Sequence, residues 1–264
     1  MRKCERHSAF HRRAQHERIL LLGRRSFLLG TDQRNGRNPL QPFSECYELD
    51  PRQPPGPVTL LTSALGKFPT GIAYDGHNIW TTSQIPGAVS IITLNSSGPP
   101  TITQVTNGFG FALTGIVYDG ANIWVTDQTN SGHKIDKLDS SGAIILSADL
   151  GDGPQCPAFD GTNIWVPNNT SHTVNVVRAT GGLAGTVIAT LTGNGLANPV
   201  QAAFDGERIL VTNFTGNSVS LWNASDLTPI GTFSIGNGNG PLGVCSDGTN
   251  FWIALETANK LARF

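Results

Sequence analysis

Charge is scarce in this chain. Asp, Glu, Lys and Arg make up 14% of its 264 residues, against roughly 25% in ordinary soluble proteins. The formal net charge is −1, and a balance so close to zero gives no global attraction to nucleic acid. No run approaches the ~18 apolar residues that a membrane-spanning helix needs. The four cysteines, Cys4, Cys46, Cys156 and Cys245, include no Cys-x-x-Cys pair, so neither a disulfide framework nor a zinc site is signalled. Amphipathic stretches of about 10–15 residues free of Gly and Pro are missing as well, which argues against a helical fold. What the chain has instead is punctuation: 31 Gly and 16 Pro, the mark of frequent turns.

The composition is not uniform. Residues 1–56 hold 11 of the 18 basic side chains and six of the 19 acidic ones, a local net charge of +5, whereas the remaining 208 residues carry a net of −6. The basic segment has only short apolar runs, Ile19–Leu22 and Phe27–Leu29, and its remainder is rich in Asn, Gln and Pro. Such a segment is expected to be weakly ordered or only locally helical. Within it, Arg24-Arg25-Ser26-Phe27-Leu28 resembles the core of a twin-arginine export signal, although the polar Gly30-Thr31-Asp32-Gln33 follows where an apolar stretch is required. This incomplete motif, with the low charge and the Thr, Asn and Gly content, sets an exported location as the expectation.

Residues 57–264 repeat themselves. Gly71-Ile-Ala-Tyr-Asp-Gly-His-Asn-Ile-Trp80 recurs as Gly115-Ile-Val-Tyr-Asp-Gly-Ala-Asn-Ile-Trp124 and as Cys156-Pro-Ala-Phe-Asp-Gly-Thr-Asn-Ile-Trp165. Two further copies end at Leu210 and Trp252, and the Asp-Gly pairs begin at 75, 119, 160, 205 and 247, with spacings of 44, 41, 45 and 42. Each unit reads as four short strands. A small-apolar strand runs into Asp-Gly-x-Asn, which makes a tight hairpin because Gly and Asn accept positive φ cheaply. A β-branched and aromatic second strand follows, then a polar loop, an alternating third strand and a Thr-rich fourth. Four strands in about 40–45 residues is the size of one propeller blade. The expected fold is therefore an all-β propeller of four-stranded blades, with units near 69–112, 113–153, 154–197, 198–240 and 241–264. The last unit lacks a fourth strand, and Pro57–Thr62 looks like an orphan one. Pairing that N-terminal strand with Asn259–Phe264 would complete the fifth blade and remove two open edges.

With Asp-Gly-x-Asn-Ile-Trp-Val-Thr-Asn and the Ser-Val-Ser-Leu that follows, residues 57–264 resemble the YVTN-type repeats of bacterial propellers and the related repeats of streptogramin lyases. The resemblance implies the fold, a WD-repeat-like blade design, and one possible activity. Streptogramin lyases use His and Glu on the loop-bearing face to remove a proton and assist elimination, and the residues here that could correspond are His133, His172 and Glu256. Magnesium enters only with that alternative.

The repeated residues themselves read as architecture. Trp80, Trp124, Trp165 and Trp252 share a position that also accepts Leu210, as a core site does. The Asp of each Asp-Gly pair is expected to cap its own turn rather than to join a carboxylate cluster. Cys156 and Cys245 are expected to be small buried residues. The loops between second and third strands are the least repeated part of each unit, and function tends to sit on loops held by a rigid scaffold. They and the blade entries carry Gln84, Asp127, Gln128, Asn168, Asn169, Asn213, Phe214, Gln155 and Gln201 as candidate ligand-binding residues. This set is mostly neutral and hydrogen-bonding. It suits a protein or glycan partner better than a phosphate or a divalent ion, and no cofactor or metal is called for. The favoured reading is a non-catalytic binding or scaffold propeller. A lyase-like enzyme and a structural module of a surface or envelope assembly stand as alternatives.

Overall fold

The computed structural model describes residues 18–22, 25–29, 46–49, 59–129 and 132–264, and it is all β, with no helix among those residues. The fold is a β-propeller built from four-stranded antiparallel sheets. Four of the sheets follow the repeat. They are β5–β8 (Lys67–Tyr74, Asn78–Ile85, Ala88–Thr93, Thr101–Val105), β9–β12 (Leu113–Tyr118, Ile123–Thr129, Gly132–Leu138, Ile144–Asp149), β13–β16 (Ala158–Phe159, Asn163–Asn168, Thr173–Arg178, Val187–Leu191) and β17–β20 (Pro199–Phe204, Arg208–Asn213, Ser218–Asn223, Pro229–Ser234). In each, sequence neighbours are sheet neighbours, as a meander requires.

The two ends differ from expectation. β1 (Arg18–Leu22), β2 (Arg25–Leu29), β3 (Cys46–Leu49) and β4 (Thr59–Thr62) form a fifth four-stranded sheet, where the sequence suggested at most local helix. Apolar runs of four or five residues are strand-sized, and periodicity alone does not separate them from helix. Arg24 of the twin-arginine-like motif lies outside the described residues. β4 pairs with β3, in the register Cys46↔Thr62, Tyr47↔Leu60 and Glu48↔Thr59. The N-terminal strand therefore does not complete the last blade. That sheet has three strands, β21 (Pro241–Ser246), β22 (Phe251–Leu255) and β23 (Lys260–Arg263). Closing the short loop from β3 to β4 costs less chain entropy than joining segments 200 residues apart in sequence.

The chain forms two compact units: His11–Thr129 with Asp136–Ile145, and Leu146–Phe264 with Asn130–Ile135. In the first, Trp80 is buried with Val89 and Ile91 against Leu113, Ile123 and Val125 of the next blade. In the second, Trp165 packs with Ala202, Ile209 and Val211, and Leu210 packs with Val244, Phe251 and Ile253. The shared position is core, each such side chain contributing about 1.5–3 kcal/mol by leaving water. Trp252, in the last sheet, is only half-buried. Cys156 is buried but Cys245 is exposed. Cys245 pairs with Trp252 across the strands, so it shares the less covered face of that sheet.

The Asp-Gly hairpins carry a second contact that the sequence did not signal. Asp75 Oδ1 accepts the N–H groups of His77 (2.7 Å) and Asn78 (2.6 Å), closing the turn, while Oδ2 accepts the indole N–H of Trp80 at 2.6 Å. Asp119–Trp124 (2.7 Å), Asp160–Trp165 (2.7 Å) and Asp247–Trp252 (2.9 Å) repeat the bond. Where Leu210 replaces Trp, Arg208 stands in place of Asn and its Nε donates to Asp205 Oδ2 at 2.8 Å. The glycine of each pair has positive φ, from 86° at Gly248 to 108° at Gly206, which only glycine adopts cheaply. At Asp75, Asp119 and Asp205, burial pushes the carboxyl pKa up, but the turn N–H groups with the indole or guanidinium outweigh it and the net shift is downward. Exposed Asp247 is lowered by the Asn250 N–H, the Trp252 indole and the Thr249 N–H.

Candidate functional site

The loops between second and third strands lie at the opposite end of each blade from the Asp-Gly hairpins. His133, His172, Asn217 and Asn259 occupy one register there, at or just before the start of the third strand, with Gly87 at the same place in the β5–β8 blade. His172, Asn217 and Asn259 share a left-handed backbone, with φ of 55°, 47° and 52°.

The two histidines do the same thing. His133 Nδ1 accepts the Gly153 N–H at 2.6 Å, and His172 Nδ1 accepts the Asn198 N–H at 2.8 Å. Asn217 follows them, its Oδ1 accepting from Gly240 N–H at 3.1 Å. Gly153, Asn198 and Gly240 each precede a proline that opens the next blade, and all three have positive φ. Their carbonyls are used as well, accepting from Asn169 N–H (2.9 Å), Phe214 N–H (3.0 Å) and Glu256 N–H (2.9 Å) in the following loop. Each of these three connections is thus held from both sides. The Asp152 carboxylate also stands 3.7 Å from His133 Nδ1. Gly153 has a φ of 74°, a conformation that favours glycine, and a Cβ there would also displace the Asn169 and Thr170 side chains. In the sequence the latch is visible only when the repeats are aligned at the start of the third strand, which puts His133, His172 and Asn217 in one column.

Of the three lyase-type candidates, then, His133 is half-buried and His172 exposed, both latched through Nδ1, and Glu256 is exposed. Among the ligand-facing candidates, Asp127, Asn168 and Asn213 have 0% exposure. Asn168 and Asn213 end their second strands and Asp127 lies two residues before the end of its own, all three with side chains turned inward. Asn168 Nδ2 donates to Asn175 Oδ1 (2.7 Å) and Thr173 Oγ1 (3.0 Å), Asn213 Nδ2 donates to Ser220 (2.8 Å) and Ser218 (3.2 Å), and Asp127 Oδ2 accepts the Gly110 N–H at 2.8 Å. Through these bonds their polarity serves as struts under the loops, with Asn168 Oδ1 left without a partner among the described residues. Gln84, Gln128, Asn169, Phe214, Gln155 and Gln201 are half-buried at the loop end and blade entries. Gln201 Nε2 donates to Val244 O at 2.9 Å, and the Phe214 ring lies beside Gly240, where a Cβ would come within 3.1 Å of it.

Two clefts open at the hairpin end instead. One of about 190 Å³ is lined by Asp75, His77, Tyr118 and Asp139, and one of about 590 Å³ by Arg178, Ile188, Phe204, Glu207 and Asp226. Among the described residues no three His, Cys, Asp or Glu side chains gather as a metal-holding group, and no helix is long and apolar enough to cross a membrane.

Comparison with solved structures places this architecture. A streptogramin B lyase superposes with a TM-score of 0.70 at 16% identity, covering 90% of this chain and 75% of that one. The fold is that of the streptogramin lyase propellers. Virginiamycin B lyase from Staphylococcus aureus gives 0.71 at 16% identity, with 93% and 79% covered, and a chain of a nidogen/laminin complex gives 0.58 at 17%, with 80% and 76% covered. No protein-family model and no curated protein matches the sequence. At these identities the likeness carries the fold alone, and a propeller hosts many unrelated activities.

Proposed function

We propose that this chain is a binding propeller whose loop-bearing end recognises a protein or a glycan. One observation carries the reading: the two histidines available as general bases occupy the same latch position as Asn217 and spend Nδ1 on backbone N–H groups. An amide fills that post, so imidazole chemistry is not what the post requires. The loop end of the unit that holds both histidines offers a partner a neutral, hydrogen-bonding rim of Gln155, Asn169 and Gln201, with Phe214 as an aromatic platform. Such a rim suits sugar hydroxyls and peptide amides, with the aromatic ring stacking on an apolar face. An exported location fits this use.

The lyase reading is kept because two lyase propellers share the fold. It would use His133, His172 and Glu256, with magnesium as an accessory ion. The two readings separate cleanly. Full-length protein is applied to an array of neutral glycans and to immobilised peptides, and is separately incubated with quinupristin, the compound present in one of the lyase structures. Saturable binding that falls at least ~10-fold in Asn169→Ala/Phe214→Ala, a double change equivalent to ~1.4 kcal/mol, supports the binding reading. Ring-opening of quinupristin that disappears in His133→Asn/His172→Asn, a variant that keeps the latch, overturns it.

A further inference from the structure

The two clefts at the hairpin end occupy the same place in the repeat, and the larger one breaks the pattern. Asp75, His77, Tyr118 and Ala121 of the smaller cleft correspond to Asp160, Thr162, Phe204 and Glu207 of the larger. In the β5–β8 blade Thr93 pairs with Asn78, and its hydroxyl donates to Asn78 Oδ1 at 2.7 Å. The same pair in the β13–β16 blade is Arg178 and Asn163. Arg178 does not take over that bond. Asn163 is only 7% exposed, yet its Oδ1 has no hydrogen-bond partner among the described residues, an uncommon state for a buried acceptor. The Arg178 guanidinium likewise has no ion pair or hydrogen bond among the described residues. The second break is Glu207, which stands where the smaller cleft has Ala121 and whose carboxylate is also without such a partner. Two opposite charges, one from each of two adjacent blades, thus line one cleft without pairing with each other.

The lining says what would fit. The other two carboxylates are committed to their turns. Asp160 accepts from the Thr162 and Asn163 N–H groups and from Trp165, and Asp226 accepts from the Thr228 N–H and hydroxyl. Ile188, Phe204 and Leu227 add apolar surface. At about 590 Å³ the cleft has the size of a small-molecule site. A free guanidinium takes a carboxylate through two parallel N–H bonds, and a free carboxylate takes an ammonium. Three carboxylates and one cation would repel a plain anion, whereas a plain cation would leave Arg178 unanswered. A ligand that carries both charges on a partly apolar body satisfies both.

We infer that the cleft formed by the β13–β16 and β17–β20 blades binds a zwitterionic small molecule with the chemistry of an apolar α-amino acid or a short apolar peptide. Arg178 holds its carboxylate, Glu207 holds its ammonium, and Phe204 with Leu227 contacts its apolar part. Asn163 Oδ1 is a further acceptor in the wall. The cleft lies at the hairpin end, so the inference stands apart from the binding role proposed for the loop-bearing end.

The test uses the full chain and isothermal titration calorimetry with two probes, L-phenylalanine and the dipeptide Leu-Phe, which separate a free amino acid from a peptide as the source. Saturable binding of at least one is expected. Acetylating its amine or amidating its carboxylate should each weaken binding at least ~10-fold, equivalent to ~1.4 kcal/mol. Arg178→Thr supplies the hydroxyl that Thr93 uses in the β5–β8 blade, so the variant keeps the hairpin bonded. It should weaken the zwitterion at least ~10-fold and leave the amidated probe unchanged. Glu207→Ala, the residue found at Ala121, should weaken the zwitterion similarly and leave the acetylated probe unchanged. Misfolding would not match each variant to one form of the ligand. No saturable binding of either probe, equal binding of blocked and unblocked forms, or equal losses for every form in both variants each overturns the inference.

Discussion

His133 and His172 hold the same post in consecutive blades, each accepting through Nδ1 the N–H of the residue before the next blade's opening proline, Gly153 at 2.6 Å and Asn198 at 2.8 Å. The bond fixes the tautomer of the neutral ring, with the proton on Nε2. His172→Asn should keep the latch and tolerate the φ of 55°, as Asn217 does. His172→Ala loses a hydrogen bond worth about 1 kcal/mol and leaves a Cβ residue in the left-handed region without compensation. On thermal unfolding the Ala variant should melt roughly 2–6 °C below wild type, with the Asn variant close to wild type. Equal melting of the two variants would deny the latch its role.

The Asp–Trp bond makes a pH prediction. Asp119 is held below the ordinary carboxylate value because the Trp124 indole, the Asn122 and Ala121 N–H groups and Lys137 together outweigh the effect of burial. A carboxylate depressed in the folded state contributes stability that is complete above the unfolded pKa of ~3.9 and is lost as pH falls through the folded value. Trp124→Phe removes the strongest of the lowering contacts, so its folded pKa rises. The stability gap between wild type and variant, measured by urea unfolding, should be largest near pH ~6 and shrink toward pH ~3, the residue at low pH being lost packing. A gap independent of pH would show that the indole bond does not shift Asp119.

Asn213 and Asn169 make a contrast within neighbouring blades. Asn213 is buried, donates to Ser218 and Ser220 and accepts the Ala197 N–H at 3.3 Å. Truncation to Ala strands those groups and should cost about 2–3 kcal/mol in chemical denaturation. Asn169→Ala, at the half-buried rim, should cost under ~0.5 kcal/mol. Similar losses at both positions would mean that the rim residue is structural and would weaken its use as a partner contact.

Gly87 has backbone where a side chain would go: a Cβ there would stand 1.6 Å from the Gly110 carbonyl oxygen. Since the obstacle is main chain, relief requires moving the connection between blades. Gly87→Ala should therefore destabilise by more than ~2 kcal/mol, read as a lower urea midpoint with an unchanged slope. A wild-type midpoint would show that the connection yields without cost.

Most of the fold was legible because its signals are local and recur. Asp-Gly-x-Asn specifies a hairpin wherever it occurs, and the Trp position betrays a core by accepting Leu210. The ends were not legible, because strand pairing is decided between segments: Thr59–Thr62 is as good a partner for β3 as for β23, and proximity in the chain favours β3. The loop end was half legible. Variable Asn, Asp and His marked the right region, but a polar letter does not say which way it points. Asp127, Asn168 and Asn213 lie at or near the end of a strand whose residues alternate between faces, and they fall on the inward one, while the latch emerges only when the repeats are compared at the residue ahead of the third strand.

The doubly held connections have a mechanical consequence. Gly153, Asn198 and Gly240 are each gripped by the loop behind through a side chain and by the loop ahead through a main-chain amide. From His133 to Glu256, successive loop tips are therefore linked like carriages with rigid couplings. A load taken up by one tip is shared along the row instead of being absorbed by slack in the joint.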